Sequence, residues 1–335
     1  MFQRPYIYTE TAFHHEGDEA FMQQMIQATS RTGANGIKFQ VLLDHTSFIS
    51  TEHSAYHLIK TWTFDRDRWL RFATQAADLK LDIIWMPLDL EAVALCGEIK
   101  DLVKYIEIHS VSFYDEDLHA AVKKSGIPVL LGVGGRMMVE IDWARDFYGN
   151  QLKVLMTGFQ AFPSAIEDVR LHNIRSYYSR YPDLAVGYAD HTSFDDQMGI
   201  SANEYAYLLG ATIFEKHITV QEGIKRTDFE AAMSEQKVEE ICKRLNRLYQ
   251  IVNSHPSLIE SDMTAPEIKY RNRQKVWVAA RALSSGSIIS REDIVLKMID
   301  QPNGIVDKRT LIGRQLIKDL KSDELITEEF LKRPV

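Results

Sequence analysis

His191 and His217 are the two residues of this chain whose placement most suggests shared chemistry. They lie in Asp190-His191-Thr192 and Glu215-Lys216-His217, and each triplet follows a short apolar run that reads as a β-strand, residues 185–188 and 211–214. A helical stretch around 204–209 separates them. This is a strand–helix–strand unit with an imidazole at the exit of both strands. In a parallel sheet closed into a barrel, both rings would enter one mouth. Two neutral imidazoles there, with nearby carboxylates and water, can hold one divalent transition metal. Taken singly, each histidine also reads as a core imidazole satisfied by a neighbouring carboxylate. Their occurrence on adjacent strands is what favours a shared ligand.

Other strand ends carry Glu10, Lys38, Gln40, Ser110 and Gln160. Lys38 lies between Ile37 and Phe39, and a strand lysine among apolar neighbours must find an anion. Glu10 reads either as a functional carboxylate or as a partner for Lys38. His14 and His15 fall in a loop, with His15 a candidate for the mouth. His45, His53 and His57 lack regular ligand spacing and read as surface residues.

Elements that would position these groups alternate along the chain. Strand-like runs at 6–10, 36–40, 82–86, 105–108, 129–131 and 154–156 precede the two already described. Helical patterns occupy 18–32, 65–79, 90–96, 116–124, 139–147, 166–179 and 235–252. Residues 41–63 form an insertion rich in His, Ser and Thr. Eight β/α repeats in about 250 residues predict an α/β fold, a (β/α)8 TIM barrel. An open doubly wound sheet competes, but that fold commonly has a Gly-rich turn after its first strand. Glu10-Thr11-Ala12-Phe13-His14 is not one.

The barrel is expected over 1–253, a Pro-containing linker over 254–273, and a second small unit over 274–335. This unit holds an internal repeat: Arg281–Ser290 is echoed by Lys318–Thr327. Both copies read as a basic residue, a leucine, a turn, two aliphatics and a hydroxyl helix cap. About 60 residues is little for an independent core, so packing on a barrel is expected.

The net charge of −8 gives no basic footprint for a nucleic-acid partner. Cys96 and Cys242 are the only cysteines, and they imply neither a disulfide framework nor a zinc knuckle. No signal peptide is evident and no apolar run reaches the ~20 residues of a membrane span. The expectation is a soluble cytoplasmic protein with no membrane partner.

Taken in order, the strand-end segments resemble the sialic acid synthase family. Residues 10–17, Glu-Thr-Ala-Phe-His-His-Glu-Gly, are similar to that family's E-I-G-x-N-H-x-G. Residues 33–40 resemble G-A-D-x-x-K-F-Q, and 162–171 resemble Y-P-x-x-x-E-D-x-x-L. Gly187–Thr192 and Glu215–Thr219 are close to G-Y-S-D-H-T and E-K-H-F-T. The repeat unit resembles the family's antifreeze-like, or SAF, domain. The resemblance implies addition of phosphoenolpyruvate, through its C3, to the aldehyde of an open-chain N-acetylated amino sugar. A nine-carbon 2-keto acid and phosphate would result, with Mn²⁺ or Mg²⁺ polarising the aldehyde. It implies His191 and His217 as metal ligands, Lys38 facing phosphoenolpyruvate, Gln40 on the sugar, and Glu10 handling a proton. Ser110, Gly134, Gln160, Phe162 and Asp228 fall at substrate-binding positions. It further implies a domain-swapped homodimer, in which one SAF domain covers the other subunit's mouth and lends it an arginine.

The departures concentrate on the donor side. The family's strand-four K-I-A-S is here Glu107-Ile108-His109-Ser110, and its S-T-G is Gly132-Val133-Gly134. Its S-T-P is Trp85-Met86-Pro87; Phe162 replaces a tyrosine and Gln160 an asparagine. Lys297-Met298-Ile299-Asp300 stands where a K-R-P run is expected. Each lost charged hydrogen bond would cost roughly 1.5–3 kcal/mol; Arg136, in a Gly-rich turn, is the candidate to restore one cation. Three readings stay open: a divergent synthase for a legionaminic, pseudaminic or spore-coat sugar acid; a metal-dependent lyase or aldolase with another donor; and a non-catalytic sugar-binding protein.

Overall fold

A computed structural model describes residues 3–159, 161–254, 263–271, 273–300 and 304–333. Gln160 lies outside the described residues. The chain divides into two compact units, Met1–Ser254 and His255–Val335.

The first unit is a closed parallel barrel. Its strands are β1 (Tyr6–Glu10), β2 (Gly36–Val41), β3 (Asp82–Pro87), β4 (Val103–Ile108), β5 (Val129–Gly132), β6 (Leu152–Thr157), β7 (Ala185–Asp190) and β8 (Ile213–Thr219). They pair in chain order, and β8 pairs back onto β1. A two-residue strand, β9 (Met233–Ser234), pairs parallel with the end of β8. Aspartates start the surrounding helices. Asp18, Asp65, Asp89 and Asp115 each accept a hydrogen bond from a backbone N–H of the first turn, a cap typically worth ~1 kcal/mol. Helix Glu19–Thr32 buries Phe21, Met22, Met25, Ile26 and Thr29 on one stripe, as the 3.6-residue period requires. That stripe joins the apolar layer between helices and strands.

Two sequence-based expectations are corrected. The eighth strand does not end at Phe214. Its ladder to β1 continues as far as Glu10↔His217, so Glu215, Lys216 and His217 are strand residues. The helix expected over 166–179 is broken. A 3-10 turn, Ile166–Asp168, is separated from helix His172–Arg180 by Arg170 at φ 50°, a left-handed conformation that no helix interior adopts. The 41–63 insertion carries two short helices, His45–Phe48 and Tyr56–Trp62.

In the second unit, β10 (Val276–Ala279) pairs antiparallel with β11 (Ile294–Lys297). The internal repeat has structural counterparts. Leu283 and Leu320 exchange both backbone hydrogen bonds, at 2.9 and 2.8 Å. Gly286 and Asp323 take positive φ at equivalent turns. Ser290 and Thr327 each precede a 3-10 turn. Leu283, Ile289, Ile294, Leu320, Ile326 and Leu331 share one small core.

Candidate active site

Side chains on a strand alternate between faces, and this sorts the barrel interior into levels. Tyr8, Ile84, Leu130, Val154, Met156, Ala189 and Ile213 form an apolar plug. The inward positions nearer the strand C-termini include Glu10, Lys38, Gln40, Glu107, Glu215 and His217, which line one cavity. Ser110, Gly134, Phe162, His191 and Asp228 join them, together with His109 and Phe159. Lys216 faces the other way on β8. It donates to the Thr192 carbonyl at 2.9 Å and lies 3.5 Å from the buried Asp190.

The two imidazoles are neighbours, with ring centroids 4.6 Å apart. Phe159 and Phe162 pack on His191 at 4.7 and 5.3 Å. His191 Nδ1 lies 3.2 Å from the Ala189 carbonyl. A carbonyl only accepts, so this bond places the proton on Nδ1 and leaves the Nε2 lone pair available. Both nitrogens of His217 are buried without a hydrogen bond, although Glu10 Oε2 lies 3.1 Å from Nε2. Burial lowers the pKa of each ring to about 3, so both are neutral at pH 7. Glu10, His191, Glu215 and His217 each offer a ligand atom, all within 4.8 Å of one another. An orphaned imidazole in a set of two nitrogens and two carboxylates fits a divalent first-row metal.

Lys38 occupies the centre of the carboxylates. Its Nζ lies 3.0 Å from Glu10, 3.0 Å from Glu107 and 2.7 Å from Glu215. Burial alone would lower the pKa of this ammonium; the three carboxylates reverse that and raise it. Tyr8 has one hydroxyl proton between Glu215 at 2.7 Å and Glu107 at 3.1 Å. Burial pushes the Glu107 carboxyl up to about 8, against the pull of Lys38. Asp228 is raised to about 7 by burial and then by Glu10.

Arg136 is not brought into the cavity. Its guanidinium stacks on Phe113 and Tyr114 at 4.5 and 5.3 Å, donates to the Ser110 carbonyl at 3.1 Å, and pairs with Glu140. His15 is buried against Phe64 at 4.5 Å and does not line the cavity either. Glu215 and Tyr8 were missed as site residues by the sequence reading. The two-residue period from His217 would have found Glu215, had the strand been drawn past Phe214.

Residues 25–256 match the NeuB family model. The chain belongs to the NeuB family. Residues 274–335 match a second model, described as chaperone for flagella basal body P-ring formation, and this C-terminal unit is SAF-like. An N,N'-diacetyllegionaminic acid synthase of Campylobacter jejuni is 24% identical over 96% of this chain and 98% of its own. An N-acetylneuraminate-9-phosphate synthase of Drosophila melanogaster is 23% identical over 96% and 94%. The fold matches a spore coat polysaccharide biosynthesis protein E from Chromobacterium violaceum, with TM-score 0.80 at 17% identity over 98% and 100%. These NeuB-family relatives include named synthases, and this chain is an enzyme of the same type.

Proposed function

We propose that this NeuB-family enzyme forms a carbon–carbon bond between a three-carbon donor and the aldehyde of an open-chain N-acetylated amino sugar, giving a 2-keto sugar acid. The observation that carries the reading is the buried Glu10–His191–Glu215–His217 cluster at the floor of the barrel mouth. Phosphoenolpyruvate is the donor that the family resemblance implies.

His191 and His217, with Glu10 and Glu215, would hold the divalent ion. That ion supplies Lewis-acid polarisation of a carbonyl oxygen. The chain's own groups do the rest. Glu10 reaches both His217 and Lys38, so it is placed to move a proton at the reacting carbonyl. Asp228, Gln40 and Ser110 offer acceptors and donors for sugar hydroxyls along the cavity wall. Phe159 and Phe162 shield the imidazoles from water, which strengthens polar interactions beneath them.

The test uses metal-stripped protein reloaded with Mn²⁺ or Mg²⁺, a panel of N-acetylated hexosamines and a three-carbon donor, with products weighed by mass spectrometry. A metal-dependent product heavier than the acceptor by the three-carbon acid supports the reading. Absence of any such product across the panel rejects it.

A further inference from the structure

His14 and His15 face different neighbours from the loop after β1. His15 packs on Phe64, whereas His14 meets the loop after β8 and is 1% exposed. Its Nδ1 lies 2.6 Å from the Thr227 carbonyl and its Nε2 lies 2.8 Å from Thr219 Oγ1. A carbonyl only accepts, so Nδ1 carries the proton. Thr219 Oγ1 already accepts the Gln221 N–H at 3.1 Å, which leaves its own proton for Nε2. The ring is thereby fixed as one neutral tautomer with its donor aimed at Thr227. The motif that residues 10–17 resemble has asparagine at this position, so the imidazole is a departure from it.

Thr227 is held a second time: its N–H and its hydroxyl both donate to Glu16 Oε1, at 2.8 and 3.1 Å. Arg226, the residue before it, stacks on Phe21 at 3.9 Å. The holding loop is itself strained. Ala12 and Glu16 take φ 42° and 47°, left-handed values that persist in non-glycine residues only where the surroundings enforce them. Directly after Thr227 comes Asp228, at φ 61° on the cavity wall. Its carboxyl accepts no hydrogen bond from the turn it starts, so the backbone that carries it sets where it stands. Beyond Asp228 the chain is tied at Glu230, whose carbonyl accepts the Phe194 N–H at 2.8 Å. Before it, Gly223, Ile224 and Lys225 are exposed, and the ties are those to His14 and Glu16.

We propose that His14 is a positioning residue: through the Thr227 carbonyl it sets Asp228 at the wall of the mouth, where hydroxyls of the open-chain sugar would meet it. The inference rests on the sugar-binding part of the function proposed above.

The experiment uses the two amides that mimic one ring nitrogen each. An asparagine amide reaches the position of Nδ1 and can still donate to Thr227; a glutamine amide reaches that of Nε2 and cannot. Limited trypsin digestion after Lys225 and Arg226 reads the loop without turnover. His14→Gln is expected to be cut ~5-fold faster than wild type and His14→Asn within ~2-fold of it. Calorimetry of the Mn²⁺-loaded proteins with the N-acetylated hexosamines reads the site. Sugar Kd is expected to rise ~5–10-fold in His14→Gln and to be restored in His14→Asn. Combining His14→Gln with Asp228→Ala is expected to cost no more than Asp228→Ala alone, because both act through one carboxyl. A penalty that adds in full, or equal behaviour of the two amides, overturns the inference and leaves the proposed function standing. NMR of wild type labelled with ¹⁵N-histidine decides even if the variants fail to fold: the Nδ1–H tautomer is expected at His14, and the Nε2–H tautomer or a charged ring overturns the inference. Wild type that binds no sugar of the panel overturns the sugar-binding reading itself.

Discussion

Removing the His217 ring breaks no hydrogen bond, because neither of its nitrogens makes one. His217→Ala is therefore expected to keep the barrel folded while weakening Mn²⁺ binding by at least ~100-fold. Metal content after dialysis and circular dichroism check this; full retention of metal would remove His217 from the ligand set. His15 gives a pH prediction away from that cluster. Burial lowers its pKa to about 3, against 6.5 for a free imidazole. The unfolded chain then binds the extra proton below pH 6.5, so this contribution is complete above pH 6.5 and is lost as pH falls toward 3. Going from pH 6.5 to 5 should cost about 2 kcal/mol from this ring. His15→Phe, which keeps the stacking on Phe64, is expected to flatten that part of the urea-denaturation profile. An unchanged acid slope would contradict the assignment. At this scale the sequence exposed the two histidines and Lys38 readily. It offered Glu10 as a partner for Lys38, and the two lie 3.0 Å apart; it did not offer Glu215, which lies 177 positions away.

The strand–loop junctions set how the site groups meet. A Cβ at Gly134 would collide with the backbone carbonyl of Phe159, and Phe159 packs on His191. Gly134→Ala is expected to destabilise the protein by about 1–3 kcal/mol and to weaken metal binding by moving that aromatic wall. Thermal denaturation and metal titration measure both effects; a variant matching wild type in each would show that the junction yields without consequence. The strand-like apolar runs alternating with helical spacing made the barrel legible in the sequence. The end of β8 was not, because polar residues inside a strand look like an exit. Glu215 and His217 are tolerated there because their face opens on the cavity, and Lys216 because Asp190 and the Thr192 carbonyl receive it. The break at Arg170 was hidden for a different reason: a left-handed residue of ordinary helix propensity leaves no mark on hydrophobic spacing.

On the scale of the whole molecule, the barrel and the SAF-like unit have separate cores. Among the described residues, the barrel's core draws on residues up to Leu245 and its neighbours to Val252. A chain ending at Ser254 is expected to fold and bind metal as the full chain does. By the family resemblance it should lose sugar affinity and the capacity to form a domain-swapped dimer. Calorimetry and analytical ultracentrifugation test these expectations, and undiminished sugar binding by the truncated chain would count against a covering role for the SAF-like unit. The histidine–carboxylate cluster is expected to build a sugar acid with a divalent metal. The most direct measurement of this is the mass of the product formed by metal-loaded wild type from an N-acetylated amino sugar and a three-carbon donor. The expected product is a 2-keto acid extended by three carbons, abolished by metal removal and by His217→Ala. A product that persists after either treatment, or an acceptor left unchanged with every donor, would contradict it.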